Sequence, residues 1–293
     1  NRPSTRKENI RIVERVILPA LGQHAVAAVT RDDIAGLHRR LSRTPRQANL
    51  CLAVLSKMFA LAELWGMRPE HSNPVRGIRK YPETARSRFL SDDELGRLGA
   101  ALDQAERADT ILPDAALAIR LLALTGMRLG EVVSLRWEYV DLDNGAIALP
   151  QAKAGAREHT IGAVAIALLL PLRPERALGP VVRGPDSAAP LSRSTLEHTW
   201  ERLRAAAGLD DVRLHDLRHG VGTFAAQAGA NAFLVRDKIG HKTLAMTSRY
   251  VGRDAEPLRA LSDRVEGRIA AALAGSTAEI VALPRPDLPK RTD

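Results

Sequence analysis

Apolar residues recur at helical spacing through the first 82 residues of the chain. They predict helices over residues 5–18, 34–41 and 46–65. Thr30 predicts a capped start for the second helix, because Asp33 follows three residues later and each side chain can bond to the other's backbone N–H. This segment is therefore predicted to be all-α.

The pattern of apolar positions changes in the rest of the chain. Ser91 with Glu94 predicts another capped helix start, and a strongly apolar helix over 115–124 is followed by one over 127–135. Short alternating stretches then predict a small antiparallel sheet. The predicted strands are 139–142, 146–149 and 158–161, and the helices after them are 163–170, 192–207, 216–228, 232–239, 244–249 and 256–274.

These elements predict a mainly α protein with a small antiparallel β-sheet, divided into two domains. Residues 1–82 are expected to form the all-α domain, 83–90 a linker, and 91–275 an α+β domain. Residues 276–293 contain three prolines and are expected to be a mobile tail.

Positive charge is concentrated in the first third of the chain. The net charge is +9, and residues 1–90 hold 17 Lys and Arg against 7 Asp and Glu, while the remainder holds 26 against 27. An excess of this kind predicts a polyanionic partner, with nucleic acid the commonest. Only 3% of residues are aromatic, which disfavours base stacking on single strands and favours duplex DNA.

Several classes of protein are disfavoured by composition. No uninterrupted apolar run approaches the roughly 18 residues of a membrane span, so no membrane segment is expected. The single cysteine, Cys51, cannot form an internal disulfide or a cysteine-cluster zinc site, which favours a reducing cytoplasm. Residue 1 is Asn rather than Met, so we expect further sequence upstream.

Candidate chemistry lies in short motifs of the second domain, each of which is ordinary when taken alone. An arginine and a glutamate three apart are usually a surface ion pair, a His-x-x-Arg is usually a helix start, and a lone tyrosine usually packs. A lysine in a hairpin turn is usually solvated. The motifs are Thr-Gly-Met-Arg-Leu-Gly-Glu at 125–131, Lys153 in the predicted hairpin, His-Asp-Leu-Arg at 215–218, Gly-His at 240–241, and Tyr250.

In this order and context the motifs resemble the active site of the tyrosine recombinase (phage integrase) family, and the likeness extends from residue 5 to about residue 272. Type, order and predicted structural context agree together, which is what makes the match specific. The resemblance implies a catalytic set of Arg128, Lys153, His215, Arg218, His241 and the nucleophile Tyr250, with Glu131 supporting the first arginine.

The resemblance also implies the reaction and its partners. Such an enzyme cuts and rejoins duplex DNA through a 3′-phosphotyrosine intermediate and exchanges strands via a Holliday junction, with no metal, cofactor or ATP. Four subunits would assemble on two DNA sites, with the helix over 256–274 docking on a neighbour. DNA-bending or excision proteins would be accessories, and the first domain would be a core DNA-binding domain. The protein would be cytoplasmic, of bacterial or phage origin, and associated with the nucleoid.

Each proposed residue suits a step of that reaction. Arg128 and Arg218 can donate paired hydrogen bonds to a phosphate, and His241 can add a third donor as charge develops in the transition state. A tyrosine hydroxyl must lose its proton during attack, and the departing 5′-oxygen must gain one. His215 is the candidate base and Lys153 the candidate acid.

Two departures from the family and two rival functions remain. Gly220-Val221 stands where many relatives have a threonine, and Gly162 where a proline often follows the hairpin. One rival is a type IB topoisomerase-like enzyme, which would use the same residues to nick and reseal one strand. The other is a catalytically silent DNA-binding regulator on the same fold.

Overall fold

The computed structural model describes residues 3–84, 86, 88–150, 155–186, 188–248 and 250, and four isolated positions at 262, 265, 266 and 269. The chain divides into two compact units, Asn1–Arg86 and Ser87–Asp293. The division lies within the predicted linker 83–90.

The first unit is helical, as its apolar pattern predicts. Helix α1 spans Pro3–Ile12 and continues through a π-helical turn, Val13–Ile17, into the short α2, Leu18–Leu21. Helices α3, Arg31–Arg40, and α4, Pro45–Leu64, follow. The core of the unit consists of Ile12, Ile17, Leu21, Val29, Ile34, Leu37, Cys51, Leu52, Leu55, Phe59 and Val75.

The predicted cap of α3 is confirmed. The Asp33 N–H donates to the Thr30 hydroxyl at 3.2 Å, and the Thr30 N–H donates to the Asp33 carboxylate at 2.8 Å. Each side chain therefore satisfies a backbone group that the helix itself leaves without a partner.

By length and composition alone, helix α4 could cross a membrane. Of its most apolar 18 residues, 44% are buried. Arg46 and Lys57 interrupt this helix, so the sequence contains no uninterrupted apolar run of that length here. Its buried residues include Cys51, Leu55 and Phe59, which belong to the core of the first unit. A buried core helix of a globular domain passes the same test.

The second unit begins with helices α5, Asp92–Arg107, and α6, Pro113–Thr125. Ser91 and Glu94 form the predicted capping box at the start of α5. Helix α7 covers only Leu129–Val133, so the prediction of a helix over 127–135 was wrong at both ends. The helix begins later because the Arg128 backbone is extended. The N–H of Arg128 donates to the carboxylate of Glu131.

The predicted antiparallel sheet is confirmed, with strand order β1-β2-β3. The strands are Val140–Asp141, Ala146–Leu149 and Arg157–Thr160. In β2 and β3, Ile147 pairs with His159 and Leu149 with Arg157.

The helices after the sheet are α8, Ala163–Leu169; α9, Arg193–Ala206; α10, Leu214–Gln227; α11, Ala232–Ile239; and α12, Leu244–Thr247. Helix α6 lies at the centre of this unit, with eight buried residues along its 13 positions. Helix α10 packs against α6 and α11, and α11 packs against β3 and α12. The predicted helix over 256–274 and the predicted tail lie almost entirely outside the described residues, although positions 262, 265, 266 and 269 are helical.

Candidate active site

The motif residues that the structure describes lie in one region of the second unit. They come from the turn between α6 and α7, the start of α10, the turn after α11 and the residue two beyond Ser248. Lys153 falls in 151–154, outside the described residues, so its predicted role in the hairpin stays a prediction.

Gly126 shapes the first turn of this site. Helix α6 ends there in the left-handed conformation, with φ of 68°, which glycine adopts without a steric penalty. The turn leads the chain directly into Arg128. It also presents the Gly126 carbonyl to the guanidinium of Arg218.

Arg128 is held on two sides. Its Nη1 donates to Glu131 Oε1 at 2.8 Å, and its Nη2 donates to the carbonyl of Gly240. The second contact joins α7 to the turn after α11, more than a hundred residues along the chain. The structure therefore brings Glu131 into contact with Arg128, while its supporting role in catalysis stays a prediction.

A second arginine shares that glutamate. Arg157 on β3 donates from Nη2 to Glu131 Oε2 at 3.0 Å. Burial favours the neutral form of the Glu131 carboxyl, but hydrogen bonds from Arg128 and the charges of Arg157 and Arg128 outweigh it and hold the pKa below its usual value. Glu131 thus remains a carboxylate that neutralises part of a strongly positive region.

Sequence reasoning missed Arg157 and His159. A signal was present in β3, because the two-residue period puts both side chains on one face, opposite that of Glu158. His159 is buried and bridges Arg157, at 3.1 Å, and the Thr125 carbonyl, at 3.1 Å. Burial, with the charges of Arg157 and Lys238, lowers the pKa of His159 to about 3, so its ring is neutral at pH 7.

Among the motif residues that the structure describes, Arg218 is the most deeply buried cation, with 2% of its surface exposed. Its two terminal nitrogens donate to the carbonyls of Gly126 and Ile239, the ends of α6 and α11. Burial and the nearby charge of Arg128 lower the pKa of Arg218 to about 10, while charge on Glu131 and Tyr250 acts in the opposite direction. The guanidinium is therefore still protonated at pH 7, and it lies within electrostatic range of Tyr250.

Tyr250 lies among histidines. The ring of His241 stacks on it with centroids 5.8 Å apart and planes at 27°, while His241 Nδ1 contacts the Thr247 hydroxyl at 3.1 Å. The Tyr250 hydroxyl is hydrogen-bonded to Nδ1 of His219, a residue to which sequence reasoning gave no role.

His215 contacts this group through His219. The two rings meet edge to face with centroids 4.8 Å apart and planes at 83°. Burial, and the neighbouring His219 and Arg218, lower the pKa of His215 to about 4, so it is neutral at pH 7. A neutral imidazole is what a proton acceptor requires.

Replacement of Gly240 by alanine is expected to destabilise the second unit. Gly240 ends α11 with φ of 59°, and a Cβ there would overlap the guanidinium of Arg157. A non-glycine residue in this conformation costs on the order of 1–3 kcal/mol, before any displacement of Arg157. Urea unfolding of the intact protein measures the change.

The matched control is Gly99→Ala on α5, where no atom lies within 4 Å of the added Cβ. Alanine is favoured over glycine inside a helix, so stability is expected to be unchanged or raised by about 0.5–1 kcal/mol. Equal stability of Gly240→Ala and the natural protein would contradict the close packing of Gly240 against Arg157.

The fold matches solved structures of DNA integrases. Over 87% of this chain and 91% of the other, it superposes with a TM-score of 0.70 and 21% identity on lambda integrase (75-356), solved as a dimer bound to a COC′ core site. It also matches the Tn1549 transposon integrase (aa 82-397), solved with circular intermediate DNA, with a TM-score of 0.70 at 17% identity over 89% of this chain and 94% of that one. The fold is thus that of a tyrosine recombinase.

Sequence comparison agrees. The profile of the Phage integrase family matches residues 88–256, and the chain belongs to that family, which confirms the family predicted from the motifs. It is 29% identical to the shufflon-specific DNA recombinase of Escherichia coli, over 71% of this chain and 51% of that protein. It is 31% identical to a putative prophage phiRv2 integrase of Mycobacterium tuberculosis, over 58% of this chain and 52% of that protein. The chain spans about half the length of these relatives.

Proposed function

We propose that this chain is a site-specific DNA recombinase that cuts and rejoins duplex DNA through a 3′-phosphotyrosine intermediate and exchanges strands via a Holliday junction. The observation that carries the proposal is that Arg218 and His241 lie beside Tyr250. Arg128 is bonded to the carbonyl of Gly240, the residue before His241. A pocket that combines fixed cations with one hydroxyl suits attack on a phosphodiester. No metal ion or ATP enters the proposed reaction.

The two arginines bind the scissile phosphate. Arg128 is held by Glu131 and the Gly240 carbonyl, and Arg218 by two other carbonyls. A guanidinium has five N–H donors, so these bonds leave donors for phosphate oxygens. Because the protein fixes both groups in advance, little reorganisation is needed as negative charge develops in the transition state. His241 supplies a further donor.

Two proton transfers complete the step. The Tyr250 oxygen forms a bond to phosphorus and gives up its proton. The family resemblance assigns the role of proton acceptor to His215, which is neutral at pH 7. The bond from phosphorus to the 5′-oxygen breaks, and that oxygen takes a proton from Lys153. The phosphotyrosine bond keeps the energy of the cut linkage, so a 5′-hydroxyl can reverse the reaction.

We propose the partners of this chain from those present in the solved structures of similar integrases. Lambda integrase has been solved as a dimer on a core site and as a tetramer bound to a Holliday junction. For this chain we propose duplex DNA as substrate, a homotetramer on two sites and the bacterial cytoplasm as the setting. The positive charge of residues 1–90 supports phosphate contacts by the first unit. DNA-bending or excision proteins are proposed accessories, and residues 256–274 are the proposed docking helix.

Recombination products test this function. The protein is expressed in cells, and the cells are lysed in denaturant. The DNA that is covalently attached to the protein is then recovered and sequenced. Plasmids carrying two copies of the recovered site are then incubated with purified protein in EDTA. Recombinant junctions are expected with the metal removed. Relaxation of plasmids without junctions or sequence preference would favour the topoisomerase-like rival, and DNA binding without adducts would favour the silent regulator.

A further inference from the structure

His219 touches the reacting atom of Tyr250. Its Nδ1 and the phenolic hydroxyl are hydrogen-bonded, and the ring centroids lie 5.7 Å apart with the planes tilted by 41°. His215, by comparison, meets the edge of the His219 ring. Of the two histidines, His219 is therefore the one with a described hydrogen bond to the Tyr250 hydroxyl.

Helix α10 provides both this contact and the space for the tyrosine. His219 is 8% exposed, and three residues later on the same helix face is Gly222. A Cβ at Gly222 would lie 3.0 Å from Cε1 and 3.1 Å from Cζ of Tyr250. The absence of a side chain at Gly222 lets the phenol ring lie against the helix, where its hydroxyl reaches His219.

We propose that His219, in place of His215, accepts the proton of Tyr250 when the tyrosine attacks DNA, and that His215 positions the His219 ring. The inference rests on the proposed function and specifies its proton acceptor. As the Tyr250 oxygen bonds to phosphorus, its proton moves to Nδ1 and leaves His219 as an imidazolium. The leaving 5′-oxygen takes its proton from a different group, and in religation His219 returns the proton to the tyrosine oxygen. No co-reactant is needed.

The test separates the nucleophile side of the reaction from the leaving-group side. Single-turnover adduct formation is measured on the recovered DNA site with either a normal linkage or a sulfur replacing the bridging 5′-oxygen. A thiolate leaves without a proton, so the sulfur substrate removes the need for an acid but not for a base. The variant is His219→Gln, whose amide oxygen can accept a hydrogen bond but not a proton at neutral pH.

His219→Gln is expected to slow adduct formation by on the order of 10²-fold on both substrates, with DNA affinity retained. The matched control is His198→Gln at an exposed position of α9, which is expected to leave both rates unchanged. Natural rates in His219→Gln, or a defect that the sulfur substrate corrects, would overturn the inference. Absence of any adduct with the natural protein would instead count against the proposed function.

A second measurement does not depend on the folding of that variant. Arg218-His219 is the only Arg-His pair in the sequence, so labelling with ¹³C-arginine and ¹³C,¹⁵N-histidine identifies the His219 amide by its coupling to the Arg218 carbonyl carbon. The ring nitrogens of His219 are then assigned from that amide through the labelled carbons of the same residue. In the natural protein, Nδ1 is expected to accept the hydrogen bond from the Tyr250 hydroxyl and to change its resonance in Tyr250→Phe. A protonated Nδ1 that is insensitive to this substitution would overturn the inference.

Discussion

Tyr250→Phe is expected to abolish the covalent protein–DNA adduct while leaving DNA affinity nearly unchanged. The substitution removes only the oxygen that forms the bond to phosphorus, so no attack is possible, whereas the ring can keep its stacking on His241. Loss of a nucleophile lowers rates on the order of 10⁶-fold, which here means no detectable adduct. Denaturing gels with end-labelled DNA measure the adduct, and a gel-shift titration measures affinity.

The chain offers a matched control, because it contains three tyrosines. Tyr139 lies in a short 3₁₀ turn before β1 and is 38% exposed, so Tyr139→Phe is expected to form adduct at the natural rate. Equal adduct yield from Tyr250→Phe and the natural protein would show that another group is the nucleophile.

Arg218→Lys is expected to have the second largest effect, a loss of roughly 10²–10³ in the rate of adduct formation. That is the scale on which one transition-state donor acts. The two nitrogens of the guanidinium reach the carbonyls of Gly126 and Ile239 at once, and a lysine has a single nitrogen that cannot also present paired donors to phosphate. A carbonyl left buried and unpaired costs about 1–3 kcal/mol, so the free energy of unfolding should also fall.

Charge-conserving controls separate these effects. Arg193 is exposed on α9 and pairs with Glu197, so Arg193→Lys is expected to alter neither the rate nor the stability. Single-turnover kinetics and urea unfolding are measured on both variants. Natural adduct kinetics in Arg218→Lys would mean that the second arginine does not contact the transition state.

Features encoded over a few residues could be predicted from the sequence. The capping boxes at Thr30 and Ser91 depend on residues three apart, and the glycine after Thr125 ends α6 as its sequence indicates. The sheet followed from alternation and a turn sequence. The motif residues could be named because their types and order match a family, not because any one of them was distinctive.

Features that depend on contacts between distant segments could not be predicted. Arg157 belongs to the site because it is bonded to Glu131, 26 residues earlier in the chain. His219 belongs to it because it is hydrogen-bonded to Tyr250, 31 residues later. In the sequence, the first is one of many basic residues and the second adjoins a motif that already contains a histidine. The contact of the Arg128 side chain with the Gly240 carbonyl has the same origin, because 112 residues separate the two partners. The late start of α7 is by contrast a local feature, because Arg128 and Glu131 form a capping box over three residues.

The central claim is that Tyr250 carries the DNA during the reaction, and peptide mapping of the adduct tests it most directly. The purified adduct is digested with nuclease and trypsin, which releases the fragment 250–253, Tyr-Val-Gly-Arg, and mass spectrometry locates the residual nucleotide. We predict a nucleotide joined through its 3′-phosphate to this fragment. A nucleotide on any other fragment, or one joined through a 5′-phosphate, would contradict the account.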